Sequence, residues 1–418
     1  MFKKVLKGFF LCLIVNPIYS QKALNLKECE IALKKNNLQL IAQQYNLEAS
    51  KAQIIQAKVW QQPIVSGELN FYNPEKGIFF DAGTTGQKGF AIQQLIYMGG
   101  KKQNEIAFAK SNSQLAELQF EQVLLSLKYQ LAQNFSSVYF DSQKIKVLNE
   151  QIEKLESLLG AYNEQAKKGN VSLKDVVRLQ TLVLGLKNEK VSITKDIISN
   201  QQTLSLITGI TEIIEPVVNE KELLDTYATT LLSKEEMKKK LIENNPDYLW
   251  TKKMMESQEL YVKWQRSLNT PDITLGGSYD QAGGAFKNQV NLTFAVPLPL
   301  WRQNKGNVAV AKAQLEQSKT NLAYKKQELE NSLDIAYLIW QQQMQQYKGI
   351  TSDMKQDLEK VYEGILSNFQ KRNINLLEFT DFLESYNEAV IQQNEIKKQW
   401  VISGLEINYI TNSQIFKQ

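Results

Sequence analysis

Apolar positions along this chain follow two spacings, and the switches between them mark its elements. Residues 26–61 contain no Gly or Pro and are rich in Ala, Gln, Leu and Lys, which predicts one helix. Residues 64–72 change to a period of two, with Val65, Gly67, Leu69 and Phe71 opposing Ser66, Glu68 and Asn70, as in a strand. Pro74, Gly77, Gly83 and Gly86 mark a loop over 73–87, and residues 88–97 read as a second strand closed by Gly99-Gly100. From Lys101 to Ala166 only Gly160 interrupts. Ile106, Ala109, Ser113, Ala116, Phe120, Val123 and Leu127 recur there at threes and fours, the spacing of helices packed along their length. Such a helix would run for about 90 Å. Gly169-Asn170 breaks it. A returning helix follows over 172–207, with Val177, Leu184, Val191 and Ile198 in heptad register.

The same order then recurs. After a mixed connector over 209–232, residues 233–268 read as helix apart from Pro246. Strands follow over 272–280 and 289–296, joined by a short turn with Gly283-Gly284. A long helix is predicted over 305–367, a turn over 368–373 and a return over 375–412, leaving a tail of 413–418. Pro63 and Pro271 hold the same place before a strand, and Asn170 and Asn373 the same place between long helices. Landmarks kept in order at offsets of about 200 residues indicate a duplicated unit, covering 21–208 and 233–412. The fold class is mainly α with a small, separate set of strands.

Composition narrows the setting. Residues 1–20 read as a secretory signal, with Lys3, Lys4 and Lys7, an apolar run from Phe9 to Val15, and Ser20 at the cleavage site. Its loss removes three of the 49 basic residues and none of the 44 acidic ones, leaving a balance of about +2 and no nucleic-acid footprint. With no histidine, a His-based triad and any His-containing zinc site are excluded. Cys29 is then the sole cysteine, so no intramolecular disulfide forms. No Gly-rich phosphate loop, nucleophile elbow or carboxylate cluster points to an enzyme, and nothing calls for a cofactor or a metal.

No apolar run after residue 20 is long enough for a membrane helix, so any membrane entry uses strands. Four strands of about 8–10 residues can cross a bilayer when tilted, but cannot close a barrel. An open edge cannot lie in lipid, so the strands require further copies. Three copies supply about twelve strands, enough to surround a lumen. The long helices, too polar for lipid, would continue that barrel as a tube. The competing reading is a soluble coiled-coil scaffold or adaptor-like protein whose strands form a small domain of their own.

At this point the chain resembles the TolC family of outer-membrane efflux proteins over residues 24–412. Both halves match the family order of helix, two strands, long helix, tip turn and returning helix. The tip turns match most closely: Tyr162, Gly169 and Asp175 in the first half, Phe369 and Glu378 in the second, where Arg372 replaces the glycine. The resemblance implies a homotrimer with a 12-stranded barrel in outer-membrane lipid and a periplasmic helical barrel. It further implies a passive duct docked on a periplasmic adaptor and an inner-membrane pump, of the resistance-nodulation-division type.

The family closes its periplasmic end with acids after the second tip, which Glu378 and Asp381 match. Asp175, Lys168 and Arg372 join them as pore-gate candidates. Ser172-x-x-Asp175 and Asn375-x-x-Glu378 equally fit capping boxes, and Asp381 equally fits a solvated helix face. Gly169, Asn170, Val171 and Leu173, with Asn373, Ile374 and Leu376, are the candidate adaptor contacts. Ser66, Glu68, Asn70, Thr274, Asn291 and Thr293 are expected to face the lumen, and Trp301 and Tyr97 to sit in a membrane girdle.

Overall fold

The computed structural model describes residues 21–416, apart from 85, 229–231, 284, 299, 301–303, 351 and 372 and the side chains of 352–357 and 359. The signal segment, Trp301 and Arg372 lie outside the described residues. In the first half, β1 (Gln21–Leu24), α1 (Leu26–Asn36) and α2 (Leu38–Lys58) lead to β2 (Ile64–Leu69), β3 (Tyr72–Asn73), β4 (Ile78–Phe79) and β5 (Gln87–Ile96). The long hairpin α3 (Lys101–Lys167) and α4 (Leu173–Thr208) follows. The connector holds β6 (Ile213–Pro216), paired in parallel with β1, and α5 (Glu220–Ala228). In the second half, α6 (Lys234–Asn244) and α7 (Pro246–Ser267) lead to β7 (Ile273–Ala282) and β8 (Phe286–Ala295). Then come α8 (Lys305–Gly349), α9 (Ser352–Gln370) and α10 (Leu376–Thr411).

Two long helices are broken where continuity was expected. The helix of 26–61 stops at Asn37, whose backbone is extended. The Asn37 Oδ1 accepts the Leu40 N–H at 2.8 Å, starting α2, while its Nδ2 donates to the Ile207 carbonyl at 3.0 Å. Asn245 repeats this in the second half. It caps Tyr248 N–H at 3.0 Å and donates to the Ile410 carbonyl at 2.9 Å. Each buried asparagine therefore starts one helix and satisfies an orphan carbonyl at the end of another. The helix of 305–367 is likewise split, after Gly349, where Ile350 is extended.

All four main strands form one antiparallel sheet in the order β2-β5-β7-β8, so the two halves join through β5 and β7. The register carries Ser66, Ala91, Ser278 and Asn291 across the sheet in one row, and Glu68, Gly89, Asp280 and Gln289 in the next. Val65, Ile92, Gly277 and Leu292 form a row on the opposite face. One face is polar and the other apolar, and on β8 the apolar Leu292 is 85% exposed in the single chain. β2 and β8 are open edges.

Three buried clusters hold the helices. Phe140, Tyr227, Met237, Trp340, Trp400 and Phe416 form the largest, closed by α5 from the connector. Cys29, Leu33, Leu131, Phe135, Leu204 and Ile214 fill the first half's counterpart. Leu148, Leu155, Leu179, Phe369, Phe379 and Leu383 form the third, near the hairpin tips. The face of α4 that enters this cluster carries Leu179, Leu182, Val183 and Leu186. The heptad stripe Val177, Leu184, Val191 and Ile198 lies outside it, 50–68% exposed.

Candidate functional site

The two hairpin tips close with the same backbone bonds. Asn170 N–H donates to the Gln165 carbonyl, and Asn373 N–H to the Asn368 carbonyl, both at 2.9 Å. Gly169 sits at φ +75°, the left-handed region that glycine enters without strain. Ser172 then caps α4, accepting the Asp175 N–H at 3.2 Å, and Asn375 caps α10, accepting the Glu378 N–H at 2.9 Å. Both caps follow from the Ser-x-x-Asp and Asn-x-x-Glu spacing.

The acids behave differently at the two tips. The Asp175 carboxylate accepts the Ser172 hydroxyl at 2.8 Å and does not meet Lys168. Glu378 completes a capping box by accepting the Asn375 N–H at 3.3 Å. Asp381 is exposed, and among the described residues nothing bonds or pairs with its carboxylate. Its counterpart in the first half, Arg178, borders a groove between α4 and α10 lined also by Glu189, Glu384, Asn387 and Glu388. Burial pushes the Glu189 carboxyl up, against a weaker pull downward from Lys144.

Leu376 is not an exposed contact. It is 7% exposed and packs in the tip cluster with Phe369 and Phe379, whose rings stack at 4.2 Å. Its counterpart Leu173 is 74% exposed. Ile374 also leans on the tip cluster, whereas Gly169, Asn170 and Asn373 are exposed and Val171 is half-buried. Arg372 lies outside the described residues.

Between the hairpins lies a charged cluster that sequence reading did not single out. Lys144 on α3 donates to Asp141 at 3.1 Å and to Glu395 on α10 at 2.5 Å; Lys398 bonds Asp141 at 3.0 Å and Glu395 at 2.8 Å. Burial pushes the Glu395 carboxyl up, but hydrogen bonds from Lys144, Lys398 and Gln399 outweigh it and hold the group at about 2. The only signal in sequence was a charge at positions where the apolar spacing calls for core. Cys29 is buried, which drives its thiol up to about 11 and leaves it unreactive.

On the sheet, Ser66, Glu68, Thr274, Asn291 and Thr293 fall on the polar face by register. Asn70, one residue past the end of β2, still donates its N–H to the Gln87 carbonyl at 3.0 Å, while its Oδ1 accepts the Tyr72 N–H at 3.1 Å and starts a turn. Ser278 and Asp280, missing from the candidates, join the polar face. Asp280 accepts the Ser278 hydroxyl and the Asn291 amide, each at 2.8 Å, and lies two strands across from Glu68, with Gly89 between. Tyr97, just past β5, packs on Trp60 at 5.5 Å with Lys102 over its ring.

An open sheet with one apolar and one polar face, continued by polar helices of up to 67 residues, defines one subunit's share of an outer-membrane duct. The sequence profile of the outer membrane efflux protein family matches residues 32–210 and 238–412, one segment in each half. The chain belongs to that family, the TolC-like efflux channels, and its fold is that of their trimeric members. It is similar to the cobalt-zinc-cadmium resistance protein CzcC of Cupriavidus metallidurans, 22% identical over 90% of this chain and 88% of that protein. Among solved structures it resembles CusC, with a TM-score of 0.74 and 15% identity over 93% of this chain and 92% of that one. The CmeC outer membrane channel of Campylobacter jejuni gives the same TM-score and identity, over 93% of this chain and 85% of that one. The protein is thus a non-enzymatic outer-membrane efflux channel of tripartite systems, with a periplasmic helical extension. The soluble scaffold reading falls with family membership.

Proposed function

We propose that this channel is the exit duct of a divalent metal-cation efflux system. It works as a homotrimer with a periplasmic adaptor and a resistance-nodulation-division pump. The carrying observation is the likeness to CzcC along nearly the full length of both chains. The carboxylates of Glu68 and Asp280 on the polar sheet face suit a cationic cargo, since charged rings set ion selectivity. Trimer assembly would pair the open edges β2 and β8 of neighbouring copies. It would also cover the exposed α4 stripe of Val177, Leu184, Val191 and Ile198. Glu378 and Asp381 close the periplasmic end, Asp175 serves its cap, and Leu173, Val171 and the backbone of Gly169-Asn170 meet the adaptor. Tyr97 sits at the membrane border.

Deleting the gene and challenging cells with cobalt, zinc, cadmium, copper, dyes and antibiotics tests the cargo. The expected result is sensitivity to one or more of the metals with dye and antibiotic tolerance unchanged. Sensitivity confined to dyes or antibiotics would make it a drug duct instead.

A further inference from the structure

The two external connections of the sheet differ. β7 and β8 are joined by a tight turn, whereas β2 and β5 are joined by residues 70–86, which fold a hairpin of their own from β3 and β4. Phe71, Tyr72, Ile78, Phe79 and Phe80 crowd this hairpin. Phe71 meets Phe79 at 5.6 Å and Phe80 at 5.3 Å, and Tyr72 meets Phe79 at 4.9 Å. Despite those contacts, the five side chains remain 45–66% exposed. An apolar patch of this kind marks an interaction surface.

The hairpin is built rather than loose. Asp81 accepts the Asn73 amide at 3.1 Å and the Gly83 N–H at 3.2 Å. Gly86 packs so tightly on the Asp81 carbonyl that an added Cβ would lie 1.7 Å from its oxygen. Phe80 holds φ at +52°, an unusual conformation for an aromatic residue that the surrounding fold must impose.

Its position relative to the sheet decides what it meets. Leu69, Lys88 and Gln281 share one row on the apolar face. Gln281 Nε2 donates to the carbonyls of Gly83 at 2.7 Å and Gly86 at 3.2 Å, and Lys88 Nζ donates to that of Ala82 at 3.1 Å. The loop's return limb is therefore held by side chains of the lipid-facing side. On the other face, Asp280 spends its carboxylate on Ser278 and Asn291.

We propose that this aromatic hairpin is a lipid anchor, draped over the outside of the barrel's external rim with its rings in the outer leaflet. The patch continues the apolar face of the strands beyond Leu69, so its occupant is the lipid that already meets that face. The turn Pro74-Glu75-Lys76-Gly77 at its far end is polar and would lie among headgroups. The duplication leaves one such anchor per chain, because the second half has only the tight turn. The inference rests on the barrel reading of the sheet.

The test uses the full-length protein with Cys29→Ser, spin-labelled at F79C and reconstituted in phospholipid vesicles. Collisions with oxygen, which partitions into lipid, are compared with those with a water-soluble nickel chelate. L292C on the apolar strand face serves as the lipid reference and K168C at a hairpin tip as the aqueous one. The expected result is oxygen access like that at L292C and nickel access several-fold below that at K168C. Nickel access equal to that at K168C would overturn the anchor and put the hairpin in water. Protection from both probes would overturn it too, with a neighbouring copy or the lumen as occupant. A lipid-inaccessible L292C would instead sink the barrel reading itself. If F79C fails to assemble into the oligomer, I78C probes the same patch.

Discussion

The two hairpin tips share their hydrogen bonds and differ in what those bonds hold up. Asn170 and Asn373 close the same turn, and Ser172 and Asn375 cap the helices that follow. Around that common frame, Leu173 is exposed where Leu376 is buried, Val176 stands where Phe379 stacks on Phe369, and Arg178 stands where Asp381 has no partner among the described residues. What folding needs is present in both copies. The proposed gate acids, Glu378 and Asp381, both belong to the second.

The largest expected effect tests the packing side of that contrast. Phe379→Ala should cost about 3–5 kcal/mol, because it empties a fully buried ring site. The equivalent Val176→Ala should cost about 2 kcal/mol. Thermal unfolding followed by circular dichroism separates the two, and equal losses would mean that the tips are packed alike. Next come the paired clamps. Asn37→Ala and Asn245→Ala should each cost about 2–3 kcal/mol, as each removes a cap and leaves a buried carbonyl unsatisfied. The comparison requires similar values in the two halves; a clear loss in only one would break the symmetry.

The charged cluster joining the hairpins has its own pH window. Glu395 titrates lower folded than unfolded, so its contribution is present above the unfolded carboxylate range near pH 4.3 and is lost as pH falls toward 2. Discounted for partial exposure, it amounts to about 1–2 kcal/mol. Glu395→Gln should remove that part of the acid sensitivity, and an unchanged acid profile would contradict the assignment. The smallest effect belongs to the caps. Ser172→Ala and Asn375→Ala should each cost about 1 kcal/mol, alike in both copies.

Much of this was legible in the sequence. Period-two alternation located β2, β5, β7 and β8 to within a few residues, and the recurrence of Pro63 and Asn170 located the two halves. The breaks at Asn37 and after Gly349 were not legible. An asparagine within helix-forming residues signals a cap only when a distant carbonyl, here that of Ile207, comes to meet it. Leu376 misled because a leucine beside a tip turn reads as exposed until the stacked rings of Phe369 and Phe379 show where the core ends. The heptads of α4 read as a buried stripe in sequence, yet Val177, Leu184, Val191 and Ile198 are exposed in the single chain. Asp280 and Glu68 lie far apart in sequence, and only the β5–β7 register sets them in one row.

The central claim is that the second tip, rather than the first, holds the duct closed. Single-channel recording in planar bilayers tests it with Glu378→Gln combined with Asp381→Asn, set against Asp175→Asn. The account predicts a raised conductance for the double variant and none for Asp175→Asn, whose carboxylate is spent on Ser172. Unchanged conductance in the double variant, or an equal rise in both, would contradict it.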